Sequence, residues 1–132
     1  MAGTVVASTI NNDTGLFATN NAYLGIAKAW VNFTGSTAAI NGSFNVSSIT
    51  RSATGNYQVN FTTAMPNINY AVACAGSNYV NAAGSATFFN YFSSSSTGYI
   101  APTTSNFSFA TMTYNEVAYQ DPTLVTAIVI GA

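Results

Sequence analysis

Very few side chains in this 132-residue chain could carry acid–base chemistry. There is no histidine, and the ionisable lysine, arginine and acidic residues are Lys28, Arg51, Asp13, Glu116 and Asp121. General acid–base catalysis needs two titratable groups that lie close together and have different pKa values. Glu116 and Asp121 are five positions apart in a predicted loop next to Pro122. We expect both to be solvated loop carboxylates rather than a catalytic pair.

Nucleophilic and metal-binding chemistry is equally hard to assemble. A serine or threonine nucleophile needs an activating base, and Lys28 is the one candidate; its strand context favours a surface lysine or a cation–π partner. Cys74 is the single cysteine, so it forms neither an intrachain disulfide nor a zinc site, and its apolar neighbours predict a small buried hydrophobe. Three scattered carboxylates cannot make a calcium site. We expect no enzymatic activity, no cofactor and no metal.

The charge balance also limits the partners. Charged residues are 4% of the chain and the net charge is −1, so no basic cluster is available for nucleic acid. The longest apolar stretch, residues 127–132, is far shorter than the roughly 20 residues of a membrane-spanning helix, and we expect no membrane insertion. The N-terminus lacks the basic and apolar regions of a signal peptide. A sparsely charged protein tends to associate, which is typical of an assembly component.

The elements that would position these residues are predicted to be strands. Val, Ile, Thr, Tyr and Phe are common and strong helix formers are scarce. Strands are predicted at residues 4–10, 26–33, 70–75, 86–92, 107–114 and 124–130, with a hairpin over residues 43–63. We predict an all-β fold, an antiparallel and jelly-roll-like β-sandwich over residues 26–132, preceded by an N-terminal arm or edge strand over residues 1–25. Periodicity does not decide whether that arm docks on a neighbouring subunit.

The hairpin has the clearest pattern. Its second strand alternates strictly, with Tyr57, Val59 and Phe61 on one face, which predicts a half-buried antiparallel strand. Pro66 ends the pattern because proline cannot donate to the ladder. The first strand is predicted to begin at residue 43 and to change phase near Ile49.

Aromatic residues divide into two groups. Those on apolar phases of predicted strands are expected in the core: Trp30, Phe33, Phe44, Tyr57 and Phe61. Those in or beside Ser/Asn-rich segments are expected at the surface: Tyr79, Tyr91, Tyr99, Tyr114 and Tyr119. A tyrosine presents a flat apolar face and a polar tip, which suits an uncharged glycan or a subunit interface. The sequence does not separate these two roles.

An ordered series of motifs covers about residues 26–76, over a third of the chain. The motifs are KAWVNF at 28–33, FNVSSITR at 44–51, TGNYQVNFTTAMP at 54–66 and NYAV at 69–72. This series resembles a β-domain found in tail-fibre and other virion surface proteins of tailed bacteriophages, cyanophages among them. The opening GTVVASTI, residues 3–10, is similar to the extended N-terminal segments of such proteins.

The resemblance implies a structural protein on the outer surface of a virion, made in the host cytoplasm. A tail-fibre or receptor-binding component for host attachment is the first expectation, as a homotrimer that contacts other virion proteins and a host surface glycan. One alternative is a capsid decoration (cement) or head-fibre protein that clamps capsomers. A second is a stand-alone glycan-binding module. The family defines no catalytic residues.

Overall fold

A computed structural model describes residues 9–11, 16–18, 23–77, 87–91, 93–94, 98–113 and 118–131. The strands are β1 (Thr9–Asn11), β2 (Leu16–Ala18), β3 (Ala27–Thr34), β4 (Ala39–Phe44), β5 (Val46–Ala53), β6 (Asn56–Phe61), β7 (Tyr70–Gly76), β8 (Thr87–Tyr91), β9 (Ser93–Ser94), β10 (Gly98–Tyr99), β11 (Asn106–Thr113) and β12 (Val125–Gly131). Residues 23–25 form one helical turn. No helix within these ranges has the length and hydropathy to cross a bilayer.

Two four-stranded antiparallel sheets form the body of the protein. The first sheet has the order β4-β3-β12-β7 and the second has the order β5-β6-β11-β8. The inward-facing residues of both sheets share one hydrophobic core. The predicted all-β sandwich is therefore confirmed, and its jelly-roll-like detail stays a prediction. The strands β1 and β2 pair with each other, while the division at residue 25 and the docking of an arm also stay predictions.

In the first sheet, the core is built by strict alternation along the central strands β3 and β12. On β3, Ala29, Val31 and Phe33 are buried, and on β12 the buried residues are Val125, Ala127 and Val129. Successive side chains of a strand point to opposite faces. Every second residue of the first sheet therefore lies on its outer face, away from the second sheet.

Aromatic rings fill the space between the sheets. Phe33 lies 5.2 Å from Tyr57 between ring centroids in an edge-to-face arrangement, and Phe61 lies 5.8 Å from Tyr70 in the same way. Such pairs contribute about 0.5–1.5 kcal/mol beyond the burial of their area. The predicted core positions of Phe33, Tyr57 and Phe61 are confirmed.

Trp30 and Phe44 are the two corrections to the predicted core. Trp30 is 41% exposed and Phe44 is 55% exposed. Trp30 lies between the inward residues Ala29 and Val31, so the pleat turns it outward, and Phe44 pairs directly with it across β3 and β4. Both rings therefore lie on the outer face of the first sheet.

A corner at Asn45 corrects the predicted hairpin. Asn45 has a φ of 54°, in the left-handed region that asparagine tolerates better than most residues. Its Nδ2 donates to the carbonyl oxygens of Lys28 and Thr63, each at 3.1 Å, and its Oδ1 accepts the Thr63 N–H at 2.7 Å. The chain crosses here from the first sheet to the second, so the hairpin begins at Val46 and not at residue 43.

Candidate functional site

The outer face of the first sheet carries a row of large apolar side chains. Strand register aligns Phe44, Trp30, Ile128 and Ala73 across β4, β3, β12 and β7. Ile130 continues the apolar surface two positions further along β12, where it pairs with Ala71. Ile128 and Ile130 are exposed to the same extent as Trp30. The strands thus present to solvent the kind of side chains that usually lie in a core.

Side-chain size falls across this row from one edge of the sheet to the other. The β4 and β3 side carries the two aromatic rings, and the outward residues of β7 are the small Ala71, Ala73 and Ala75. A shallow open groove of about 380 Å³ extends across β12, between β3 and the alanines of β7. Its lining residues are Trp30, Val31, Asn32, Ala73, Cys74, Ala75, Thr126, Ala127 and Ile128.

Polar groups border the apolar row on one side. The Asn41 Nδ2 donates to the Asn32 Oδ1 at 3.0 Å, and the Thr126 hydroxyl donates to the Ala75 carbonyl at 3.2 Å. The Trp30 ring approaches Gly42, since a Cβ placed there would meet it at 3.5 Å. Among the described residues that line the groove there is no lysine, arginine or acidic residue. The groove and its polar border therefore offer an aromatic ring, aliphatic side chains and amides, all of them neutral.

Cys74 lies beneath the groove and packs partly against the core. Its side chain is half-buried, somewhat less buried than the sequence predicts. Burial raises the pKa of the Cys74 thiol to about 12. The thiol is therefore protonated at neutral pH, which makes it a poor nucleophile because the thiolate is the reactive form.

A cluster of ionic and polar groups around Asp121, here called the Asp121 cluster, forms a second notable feature. Arg51 donates to the Asp121 carboxylate through Nε at 3.0 Å and Nη2 at 2.6 Å. The same carboxylate accepts the Gly55 N–H at 2.8 Å and the Tyr57 hydroxyl at 2.6 Å. The predicted solvated loop carboxylate is wrong for Asp121, which gains four donors by folding next to the β5–β6 turn. Glu116 lies outside the described residues.

The protonation states in the Asp121 cluster follow from this geometry. Burial acts to raise the pKa of Asp121, but the hydrogen bonds from Arg51, Gly55 and Tyr57 together hold this pKa below its usual value. Burial is the larger cause, and the hydrogen bond to the ionised Asp121 the next, of a Tyr57 pKa far above its usual value. Asp121 is charged and Tyr57 is neutral at physiological pH. Because these donors lower its pKa, the carboxylate is a weak base, and its four hydrogen bonds hold the β5–β6 turn in place.

The remaining candidate residues are dispersed. Lys28 Nζ lies 3.0 Å from the Tyr23 ring centroid and donates to the Tyr23 carbonyl at 2.6 Å, which confirms the expected cation–π role. Tyr99 is exposed on β10, and Tyr119 is half-buried. The structure places Tyr91 in β8 by its backbone alone. Tyr79 and Tyr114 lie outside the described residues.

The outer face was missed by the sequence analysis, although the sequence contains a signal for it. Residues 125–130 read VTAIVI, with apolar residues on both phases of the strand, and Trp30 stands between two apolar neighbours. Strands that are apolar on both phases are covered on both faces in most proteins. In the part of the chain that the structure describes, the second face is open to solvent.

Within the ranges that the structure describes, no three His, Cys, Asp or Glu side chains come together to hold a metal ion. Comparison of the chain with family models, with curated proteins and with solved structures gave no match.

Proposed function

We propose that the protein is a non-catalytic structural component of the outer surface of a tailed-bacteriophage virion, most simply part of a tail fibre or receptor-binding tip. The observation that carries the proposal is the open outer face of the first sheet, with Trp30, Phe44, Ile128 and Ile130 exposed. Contiguous exposed apolar surface marks a site of association. The resemblance of the motif series between residues 26 and 76 to virion surface proteins supports a location on a virion.

The chemistry of the described residues supports a non-catalytic role. Asp121 is held by four donors, Lys28 by Tyr23, and the Cys74 thiol is neutral. A catalytic base or nucleophile needs a free lone pair aimed at a substrate. These three groups are engaged in holding the fold.

A capsid decoration or head-fibre protein would use the same outer face, against a capsomer instead of a fibre partner. Antibody-labelled electron microscopy of virions separates the two locations. Label on the tail supports the proposal, label on the head favours decoration, and a virion preparation without label contradicts both.

One observation favours glycan binding as a second candidate function. Trp30 presents its ring next to the Asn32–Asn41 amide pair, and an aromatic face beside amide donors and acceptors suits a neutral sugar ring. Trp30 is the single tryptophan, so its fluorescence reports directly on this place. Titration with neutral monosaccharides should quench the emission of the wild type and leave that of an Asn32→Ala, Asn41→Ala variant unchanged. An unchanged wild-type emission contradicts glycan binding here.

Sedimentation velocity on the purified chain tests association directly. We expect wild-type protein to sediment faster as its concentration rises, and Phe44→Ser, Ile130→Ser protein to remain a monomer. Ile68→Ser is the matched control because Ile68 is equally exposed but lies in the loop after β6. A wild-type chain that is monomeric at every concentration contradicts association through this face.

A further inference from the structure

We infer that the outer face of the first sheet binds the same face of a second copy of the chain, about a two-fold axis that runs parallel to the strands. This inference rests on the proposed function, since it names the partner that covers the face. It replaces the three-fold assembly implied by the resemblance with a two-fold contact.

The first argument is the gradient of side-chain size across the face. Along the aligned row, Phe44 and Trp30 project from the β4 and β3 side, and Ala73 leaves a hollow on the β7 side. The groove of about 380 Å³ extends from Trp30 across β12 to Ala73 and Ala75. One face thus carries both a protruding half and a receding half.

The second argument is geometric. A two-fold axis that lies between two stacked sheets and along their strands reverses the order of the strands in one sheet relative to the other. The β4 edge of each copy then lies over the β7 edge of its partner. Phe44 of each copy then lies over Ala73 of its partner and Trp30 lies over Ile128, and each contact occurs twice, as an isologous interface requires.

The third argument concerns charge. A surface that binds its own copy brings identical charges together, and like charges across an interface weaken it strongly. Phe44, Trp30, Ile128, Ile130 and the three outward alanines of β7 are all neutral. Lys28, the charged residue of β3, donates to the Tyr23 carbonyl and contacts the Tyr23 ring. The apolar row, which does not include Lys28, is therefore electrostatically compatible with its own copy.

The dimensions of the face set the expected strength. Four strands at about 4.8 Å spacing and seven residues at about 3.3 Å rise give a face of roughly 19 Å by 23 Å, or about 440 Å². A standard interface buries about 800 Å² on each partner. We therefore expect a reversible dimer whose population depends on concentration, strengthened on a virion by the high local density of copies.

Cross-linking between two single-cysteine variants tests the axis. Phe44→Cys and Ala73→Cys are made separately in a Cys74→Ala background and mixed with a short bis-maleimide. Stacked sheets are about 10 Å apart, beyond the reach of a disulfide but within that of the linker. The proposal predicts cross-linking in the mixture and little in either variant alone, because two copies of position 44 would be offset by three strand spacings, about 14 Å.

A second variant keeps the inference testable if the cysteine substitutions weaken the face. Ala73→Arg places a charge in the hollow and should raise the dissociation constant at least tenfold by sedimentation, whereas Thr123→Arg, on an exposed loop, should leave it unchanged. Two results would overturn the two-fold axis and leave the proposed function standing. One is preferential cross-linking of Phe44→Cys to itself. The other is a wild-type mass of three chains that the Ala73→Arg substitution abolishes. If Ala73→Arg leaves association unchanged, the outer face of the first sheet is not the binding surface.

Discussion

Replacing Asp121 by asparagine tests the Asp121 cluster. The substitution keeps the shape of the side chain, removes its charge and turns an amide N–H toward the Arg51 guanidinium. Asp121 is 12% exposed and Arg51 is 30% exposed, so Arg51 recovers part of its hydration while Tyr57 and Gly55 keep weaker, uncharged acceptors. We expect the free energy of unfolding to fall by an amount between the value for breaking an exposed ion pair, about 0–1 kcal/mol, and that for breaking a buried pair, about 3–5 kcal/mol.

A loss of about 2–3 kcal/mol corresponds to a fall in Tm of about 7–11 °C in a chain of this length, from an unfolding entropy of about 2.1 cal/mol/K per residue. Denaturation in urea, with calorimetry for Tm, measures both quantities. Thr123→Ala, two positions further along the same loop and exposed, is the control and should change stability by less than about 0.5 kcal/mol.

The pH dependence follows from the lowered pKa of Asp121. Its stabilising effect is present above the pKa of the unfolded chain, about 3.9, and is lost as pH falls through the lower folded value. Asp121→Asn should therefore flatten the acid side of the stability profile. An Asp121→Asn protein as stable as Thr123→Ala, with an unchanged acid profile, would refute the account of this cluster.

Three further predictions concern the backbone and Cys74. Gly55→Ala should destabilise the protein by more than about 2 kcal/mol in urea denaturation, because φ is +68° and a Cβ would lie 2.5 Å from the Thr111 carbonyl oxygen. Gly25→Ala is the control and should be nearly neutral, because a Cβ there would have nothing within 4 Å. Equal losses of stability in the two variants would contradict this prediction. Asn45→Ala should be less stable than Asn45→Gly by about 1 kcal/mol, since only glycine adopts the left-handed φ of 54° without strain. If Asn45→Ala is instead the more stable variant, the left-handed backbone at this corner is contradicted. Stability should fall above about pH 8.5, because folding raises the pKa of Cys74 to about 12 and the folded state retains a proton that the unfolded chain loses. Cys74→Ala should remove the loss between pH 8.5 and 10, and an unchanged loss would show that another group causes it.

Local patterns predict the strands well. Strands predicted at residues 26–33, 70–75, 107–114 and 124–130 are found at Ala27–Thr34, Tyr70–Gly76, Asn106–Thr113 and Val125–Gly131. Alternation and β-branched composition are properties of the segment itself, so they are visible in one sequence. The partners of each strand are not, because pairing joins distant segments such as β3 and β12.

The differences between the predicted and the observed structure also arise from contacts between distant segments. The sequence does not predict the strand at Ala39–Phe44, because the dipeptide Asn41–Gly42 is typical of a turn. Pairing with β3 stabilises the strand in spite of that dipeptide. Large aromatic residues are mostly buried, which predicts core positions for Trp30 and Phe44. Only the pairing of β3 with β4 shows which face the two rings share. Asp121 looked solvated because its partners Arg51 and Tyr57 are more than 60 positions away. A candidate site made of distant residues cannot be read from spacing.

The emission of Trp30 during a dilution series tests most directly the claim that the protein works by association through its outer sheet face. Trp30 is the single tryptophan and lies in the middle of that face. We predict that emission moves to shorter wavelength as concentration rises, in step with the sedimentation coefficient, because association removes the ring from water. Sedimentation that rises with no change in Trp30 emission would place the contact elsewhere and contradict the account.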